Sequence, residues 1–162
     1  MDAPAPFAIE ADLARFVEGP VAIVVASADG EGRPHAARGY AARVHAGGRR
    51  LSVHVPEVCS RGLCEDLRAG SGIAVVLSRV EDFKTYQIKG ASAEVRPAEP
   101  GQVPRVEAYQ DGFCTELESM RISREASAGF RYRRFVEITF APTAVFDQTP
   151  GPQAGCALPG AS

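Results

Sequence analysis

At 162 residues with 45% hydrophobic residues, the chain is long enough for one domain with a sizeable core and too short for two. Its formal net charge of -2 excludes the basic footprint of a nucleic-acid binder or a membrane-surface binder. No apolar run approaches the roughly 20 residues that cross a bilayer, so no membrane span is expected.

The start, Met1-Asp2-Ala3-Pro4-Ala5-Pro6, lacks the basic and then apolar layout of a signal peptide, and a cytoplasmic protein is expected. Residues 8–18 carry Ile9, Leu13, Phe16 and Val17 at helical spacing before Gly19-Pro20, which predicts an N-terminal helix. The β-branched run 21–27 and the turn residues Asp29-Gly30-Glu31-Gly32 predict strand and turn. A small, polar strand over 34–44 follows. Gly47-Gly48 turns it into 50–55, where Leu51, Val53 and Val55 alternate with polar positions.

From Cys59 to Ala69 the period changes: Leu63 and Leu67 stand four apart, with Gly70 at the place of a left-handed C-cap. Residues 72–78 read as a buried strand, and Phe83 to Arg96 as one long strand that Pro97 ends. Pro104 opens a helix in which Val106, Tyr109, Phe113, Leu117 and Met120 keep helical spacing. Residues 135–140 alternate again as the last long strand. The Pro- and Gly-rich tail 149–162 reads as a loop after a domain over 1–148. The expected fold is mainly β (α+β): a six-stranded antiparallel split β-barrel with a few packing helices, since closure removes exposed edges.

The segment Phe83-Lys84-Thr85-Tyr86-Gln87-Ile88-Lys89-Gly90-Ala91 is too polar for a strand buried on both faces. Gln87 offers both a donor and an acceptor, and strand parity puts Lys84 and Lys89 on opposite faces. Ser60 and Arg61, at the start of the predicted helix, offer a hydroxyl and a guanidinium where free backbone N–H groups suit an anion; a plain cap and a solvated first-turn arginine account for them equally. His35, His45 and His54 match no metal template, so no metal site is expected. Cys59, Cys64, Cys114 and Cys156 lack paired spacing and read as free thiols. Arg131-Tyr132-Arg133-Arg134 is a local basic patch with an aromatic inside it, read as a solvated edge or an interface segment. No protein acid or base stands out, which suits chemistry carried by a cofactor.

The order of elements, with Gly32-Arg33-Pro34-His35 and its strand, Cys59-Ser60-Arg61-Gly62, Tyr86-Gln87-Ile88-Lys89-Gly90 and Val145-Phe146-Asp147-Gln148-Thr149-Pro150-Gly151-Pro152, resembles the pyridoxamine 5'-phosphate oxidase-like family of FMN-binding split barrels. The resemblance covers roughly residues 16–148. It implies a homodimer with FMN in clefts lined by both chains. It also implies that the flavin phosphate lies near Arg38, Ser60 and Arg61, with Gly39 and Tyr40 in the same cofactor site, and that Gln87 touches the ring system. The activity it implies is flavin-mediated redox chemistry on a small-molecule substrate or electron donor. A non-catalytic module holding a flavin, a deazaflavin or haem on the same fold is the alternative. The family's Arg-Lys pair is Arg61-Gly62 here, and the oxidase's C-terminal substrate motif is not visible in 147–162, so vitamin B6 oxidation is not carried over.

Overall fold

The computed structural model describes residues 7–160; Met1 to Pro6 lie outside the described residues. The helix α1 (Ala11–Val17) leads into β1 (Ala22–Ala28) and the long β2 (Pro34–His45). A tight turn connects β2 to β3 (Arg50–Pro56), which runs into α2 (Arg61–Arg68). Next come β4 (Ile73–Ser78), β5 (Thr85–Gly90), β6 (Glu94–Pro97), α3 (Val103–Ser119) and the one-turn α4 (Arg124–Ser127). Three strands close the order: β7 (Phe135–Phe140), β8 (Ala144–Asp147) and β9 (Cys156–Ala157). No helix among the described residues is long and apolar enough to cross a membrane.

The sheet has nine strands rather than six, all antiparallel, in the order β6-β7-β3-β2-β1-β4-β5-β8-β9. Part of the increase comes from the segment expected as one strand over 83–96. Arg79 to Lys84 form a turn in which the Asp82 carboxylate accepts from Arg79 Nε at 2.9 Å and from the Lys84 N–H at 3.1 Å. Pairing therefore starts at Thr85. The ladder then breaks after Gly90, where an added Cβ would meet Phe140 Cδ2 at 2.5 Å, and β6 crosses to pair with β7. The tail also differs from the expected loop. After Gly155, whose φ is 87°, Cys156 and Ala157 pair with β8 and add an edge strand.

β2 belongs to both halves of the sheet. Residues 34–39 pair with β1, whereas Tyr40 onward pairs with β3. Between them Tyr40 lies opposite His54 and Arg43 opposite Ser52, so β2 holds one extra residue, and Ala41 there has a φ of 44°. Such a bulge bends and twists its strand, which turns the β3 half against the β1 half. The core lies between them, with Ile23, Val25, Val75, Leu77 and Ile88 from one half and Leu51, Val53, Val55, Ile138 and Phe140 from the other. Leu63 and Leu67 of α2 and Val17 of α1 join this core.

Candidate functional site

Strand register assembles an outward face opposite the core. Arg38, Val24, Val76, Gln87 and Phe146 stand side by side across β2, β1, β4, β5 and β8. The next row along is Ala36, Ala26, Ala74, Lys89 and Ala144. Val24 is 47% exposed, an unusual state for a valine in a central strand. The middle of this face, Val24, Val76, Ala26 and Ala74, is an apolar platform of small side chains, with Arg38 on one side and Gln87, Lys89 and Phe146 on the other. Three strand spacings, about 14 Å, separate Arg38 from Gln87. On the far side Lys89 Nζ lies 5.0 Å from the Phe146 ring centroid.

The six expected cofactor residues fall in three places. Gln87 is half-buried on the platform, paired in register with Val76 on one side and Phe146 on the other. Lys89 shares that face, whereas Lys84 precedes the strand and holds its Nζ 5.2 Å from the Tyr86 ring centroid. Gly39 faces the core: an added Cβ would meet Ile23 Cγ2 at 2.5 Å and Val53 Cγ2 at 3.1 Å, so packing accounts for the glycine. Tyr40 is 1% exposed, and its ring packs edge-on against Tyr109, Tyr132 and Phe135. Burial pushes its hydroxyl up to about 12 against the opposing pull of Arg38. The Arg38 guanidinium turns under α3, 4.4 Å from the Phe113 ring centroid and 5.4 Å from that of Tyr40.

Ser60 and Arg61 sit apart, at the start of α2. The Ser60 hydroxyl, in a residue 2% exposed, donates to the Pro56 carbonyl at 2.7 Å. Arg61 lies in solvent with its Nε donating to Glu65 at 2.9 Å. These contacts are those of a buried helix-start serine and a solvated first-turn arginine.

A cavity of about 470 Å³ that sequence reasoning missed opens where β2 bulges. Gly19-Pro20, Ala41 to Arg43, and Arg105, Tyr109 and Gly112 of α3 enclose it. Glu18 holds the bulge by accepting from the Val44 N–H at 2.8 Å. The Tyr109 hydroxyl donates to the Val21 carbonyl at 2.6 Å, fixing α3 against β1. Among the described residues the side chains of Arg43 and Arg105 make no hydrogen bond or ion pair, so two guanidinium groups and one carboxylate line the cavity. That balance suits a small anion. The bulge itself was the missing signal: an extra residue between two regular stretches leaves no mark in hydrophobic alternation.

The histidines are engaged elsewhere. His35 Nδ1 lies 2.8 Å from the Asp66 carboxylate, His45 Nε2 2.8 Å from Ser52 Oγ, and His54, 1% exposed, has Nδ1 3.2 Å from the Ala41 carbonyl. All four cysteines are free thiols.

The fold is shared with several solved structures. It superposes on HupZ of Group A Streptococcus with a TM-score of 0.54 at 14% identity, covering 91% of this chain and 99% of that one. A candidate pyridoxamine 5'-phosphate oxidase from Lactobacillus delbrueckii gives 0.52 at 14% identity, with 86% and 93% covered. An F420 reductase gives 0.51 at 14% identity, with 80% and 92% covered. The chain has the fold of the pyridoxamine 5'-phosphate oxidase-like proteins. No protein-family model and no curated protein matches its sequence. On this fold the platform suits a flat ring system: its surface is apolar and the Gln87 amide stands at its side. Of the residues expected to hold the phosphate, Ser60 donates to the Pro56 carbonyl, Arg61 pairs with Glu65 in solvent, and the Arg38 guanidinium lies against the Phe113 ring.

Proposed function

We propose that the chain binds the ring system of a flavin-type cofactor on the platform of β1, β2, β4, β5 and β8, and serves as an oxidoreductase for a small anionic substrate. The observation that carries this reading is the outward apolar row of exposed Val24 and half-buried Val76 ending at Gln87. Val24, Val76 and Phe146 would hold the ring by apolar contact, and the Gln87 amide would meet its polar edge with one donor and one acceptor. The bound flavin supplies the electron transfer, and the protein supplies orientation and exclusion of water. The arginines at the bulge, Arg43 and Arg105, would receive the substrate's anionic group.

One copy leaves the platform open to water, so the reading includes a homodimer in the cytoplasm, in which the second copy covers the ring and supplies contacts for its phosphate. The F420 reductase that shares this fold supports a deazaflavin as the alternative, since a platform reads ring shape before it reads a tail.

Purified protein mixed with excess FMN tests the proposal. A ligand at a hundred times its dissociation constant stabilises the fold by about 2.7 kcal/mol, a readily measured rise in melting temperature. A colourless preparation with no shift from FMN or F420 overturns it. Sustained oxidation of NADH or NADPH above the rate of free flavin separates an enzyme from a carrier.

A further inference from the structure

A second, larger cavity of about 760 Å³ lies away from the platform, between the end of β6, one face of α3 and residues 132–135. Its size falls within the range of small-molecule sites. Val103, Val106, Glu107 and Gln110 line it from α3, a set spaced to share one helix face. Tyr132, Arg133 and Arg134 line it from the opposite side. A smaller cavity of about 420 Å³ continues it past Glu57 and the same three residues.

The feature that marks this cavity is Gln110. The side chain is largely buried, with the residue 6% exposed, and among the described residues its amide makes no hydrogen bond, yet it is not one of the fully enclosed polar groups and stays within reach of solvent. An amide that lines a cavity and is paired only by water can exchange that water for the donor and acceptor of what enters. Beside it, Arg133 makes no hydrogen bond or ion pair among the described residues, and Arg134 has only a loose approach of 3.9 Å to Glu57. The Tyr132 ring, half-buried, offers a flat wall, and Val106 an apolar floor. One turn from Gln110, the exposed Glu107 carboxylate can accept from hydroxyl groups.

These groups define a ligand: a planar base edge with adjacent donor and acceptor for an amide, hydroxyls for a carboxylate and an anion for two guanidinium groups. We propose that this cavity is a binding site for an adenine nucleotide. Gln110 pairs with the amino group and neighbouring ring nitrogen of the base, the pairing that glutamine makes with adenine. The base lies against Tyr132, Glu107 meets the ribose hydroxyls, and Arg133 and Arg134 hold the phosphate. The site is separate from the flavin platform and does not depend on flavin being bound.

Isothermal titration calorimetry of the cofactor-free chain with AMP, adenosine and ribose 5-phosphate tests the assignment. AMP is expected to bind saturably, adenosine at least tenfold more weakly, and ribose 5-phosphate more weakly than AMP. The Arg133→Ala variant, changed at an exposed position, should lose tenfold or more in AMP affinity while adenosine binding is unchanged. Gln110→Leu should weaken AMP and adenosine alike and leave ribose 5-phosphate unchanged. Absence of saturable AMP binding by the wild-type chain overturns the proposal, as does AMP affinity unaltered in Arg133→Ala. Equal affinity for AMP and ribose 5-phosphate removes the base from the site and also overturns it. The Arg133 variant carries the test alone if Gln110→Leu fails to fold.

Discussion

Ser27 Oγ donates a 2.7 Å hydrogen bond to Asp66 Oδ2, joining the inner face of β1 to the middle of α2. His35 Nδ1 meets the same oxygen at 2.8 Å, and because a carboxylate can only accept, that nitrogen carries the proton. These contacts, led by the Ser27 hydroxyl, hold the Asp66 carboxyl below the ordinary carboxylate value. A carboxyl lowered in the folded state contributes stability that is present above its unfolded value, near pH 4, and is lost as pH falls through the folded one. The Asp66→Asn variant should therefore be less stable than the wild type at pH 6, with the difference shrinking steadily below pH 4. Urea midpoints measured from pH 6 to pH 2.5 check this, and a difference constant over that range would exclude it.

Gly39 tests whether packing rather than cofactor contact explains a residue of the expected site. An added methyl would sit 2.5 Å from Ile23 Cγ2 and 3.1 Å from Val53 Cγ2, both in the core. Overpacking of this kind typically costs about 1–3 kcal/mol. Gly39→Ala is expected to lower unfolding free energy by that amount, and flavin affinity measured below the new melting temperature should stay within about threefold. A variant as stable as the wild type would mean that β1 and β3 yield at this point.

The fold was largely legible because its signals are local. Alternation at Leu51, Val53 and Val55, the helical spacing of Leu63 and Leu67, and Gly70, with a φ of 93°, each report their own neighbourhood. What escaped depends on distant partners. At the break after Gly90, Phe140, 50 positions away, fills the space that a side chain at Gly90 would need. Of the candidate site, Gln87 was legible because a polar residue in a strand calls for an explanation. Val24 was not, because the run from Val21 to Ala26 reads as buried on both faces, and only the order of strands leaves one face open. Arg38, Ser60 and Arg61 came from a motif. Their present partners, Phe113, Pro56 and Glu65, are set by this chain's own packing.

Gln87 carries the platform's only amide in the row it shares with Arg38, Val24, Val76 and Phe146. Losing two hydrogen bonds of about 0.5–1.5 kcal/mol each lowers affinity by roughly 5- to 160-fold. Gln87→Leu is expected to weaken FMN binding within that range and to leave the stability of the cofactor-free chain within about 0.5 kcal/mol, since the side chain is half-buried with no core contact to lose. Fluorescence titration with FMN and urea unfolding measure the two quantities separately. Unchanged affinity would move the ring away from β5.

The cavity at the β2 bulge makes the last prediction, on charge. Arg43 and Arg105 both line it, and Glu18 contributes one carboxylate whose Oε1 is held by the Val44 N–H at 2.8 Å. A hydrogen bond between charged groups contributes about 1.5–3 kcal/mol, so removing either guanidinium should weaken a small oxyanion by roughly 10- to 150-fold. Glu18→Gln keeps an oxygen for Val44 while removing a negative charge, and is expected to strengthen the same anion. Melting-temperature shifts with phosphate, at constant ionic strength because exposed charges are screened, read all three variants. Loss on Arg43→Ala or Arg105→Ala together with gain on Glu18→Gln places the anion in this cavity. Three variants that respond like the wild type would leave the two arginines as solvated surface charge and remove the substrate's binding group from the bulge.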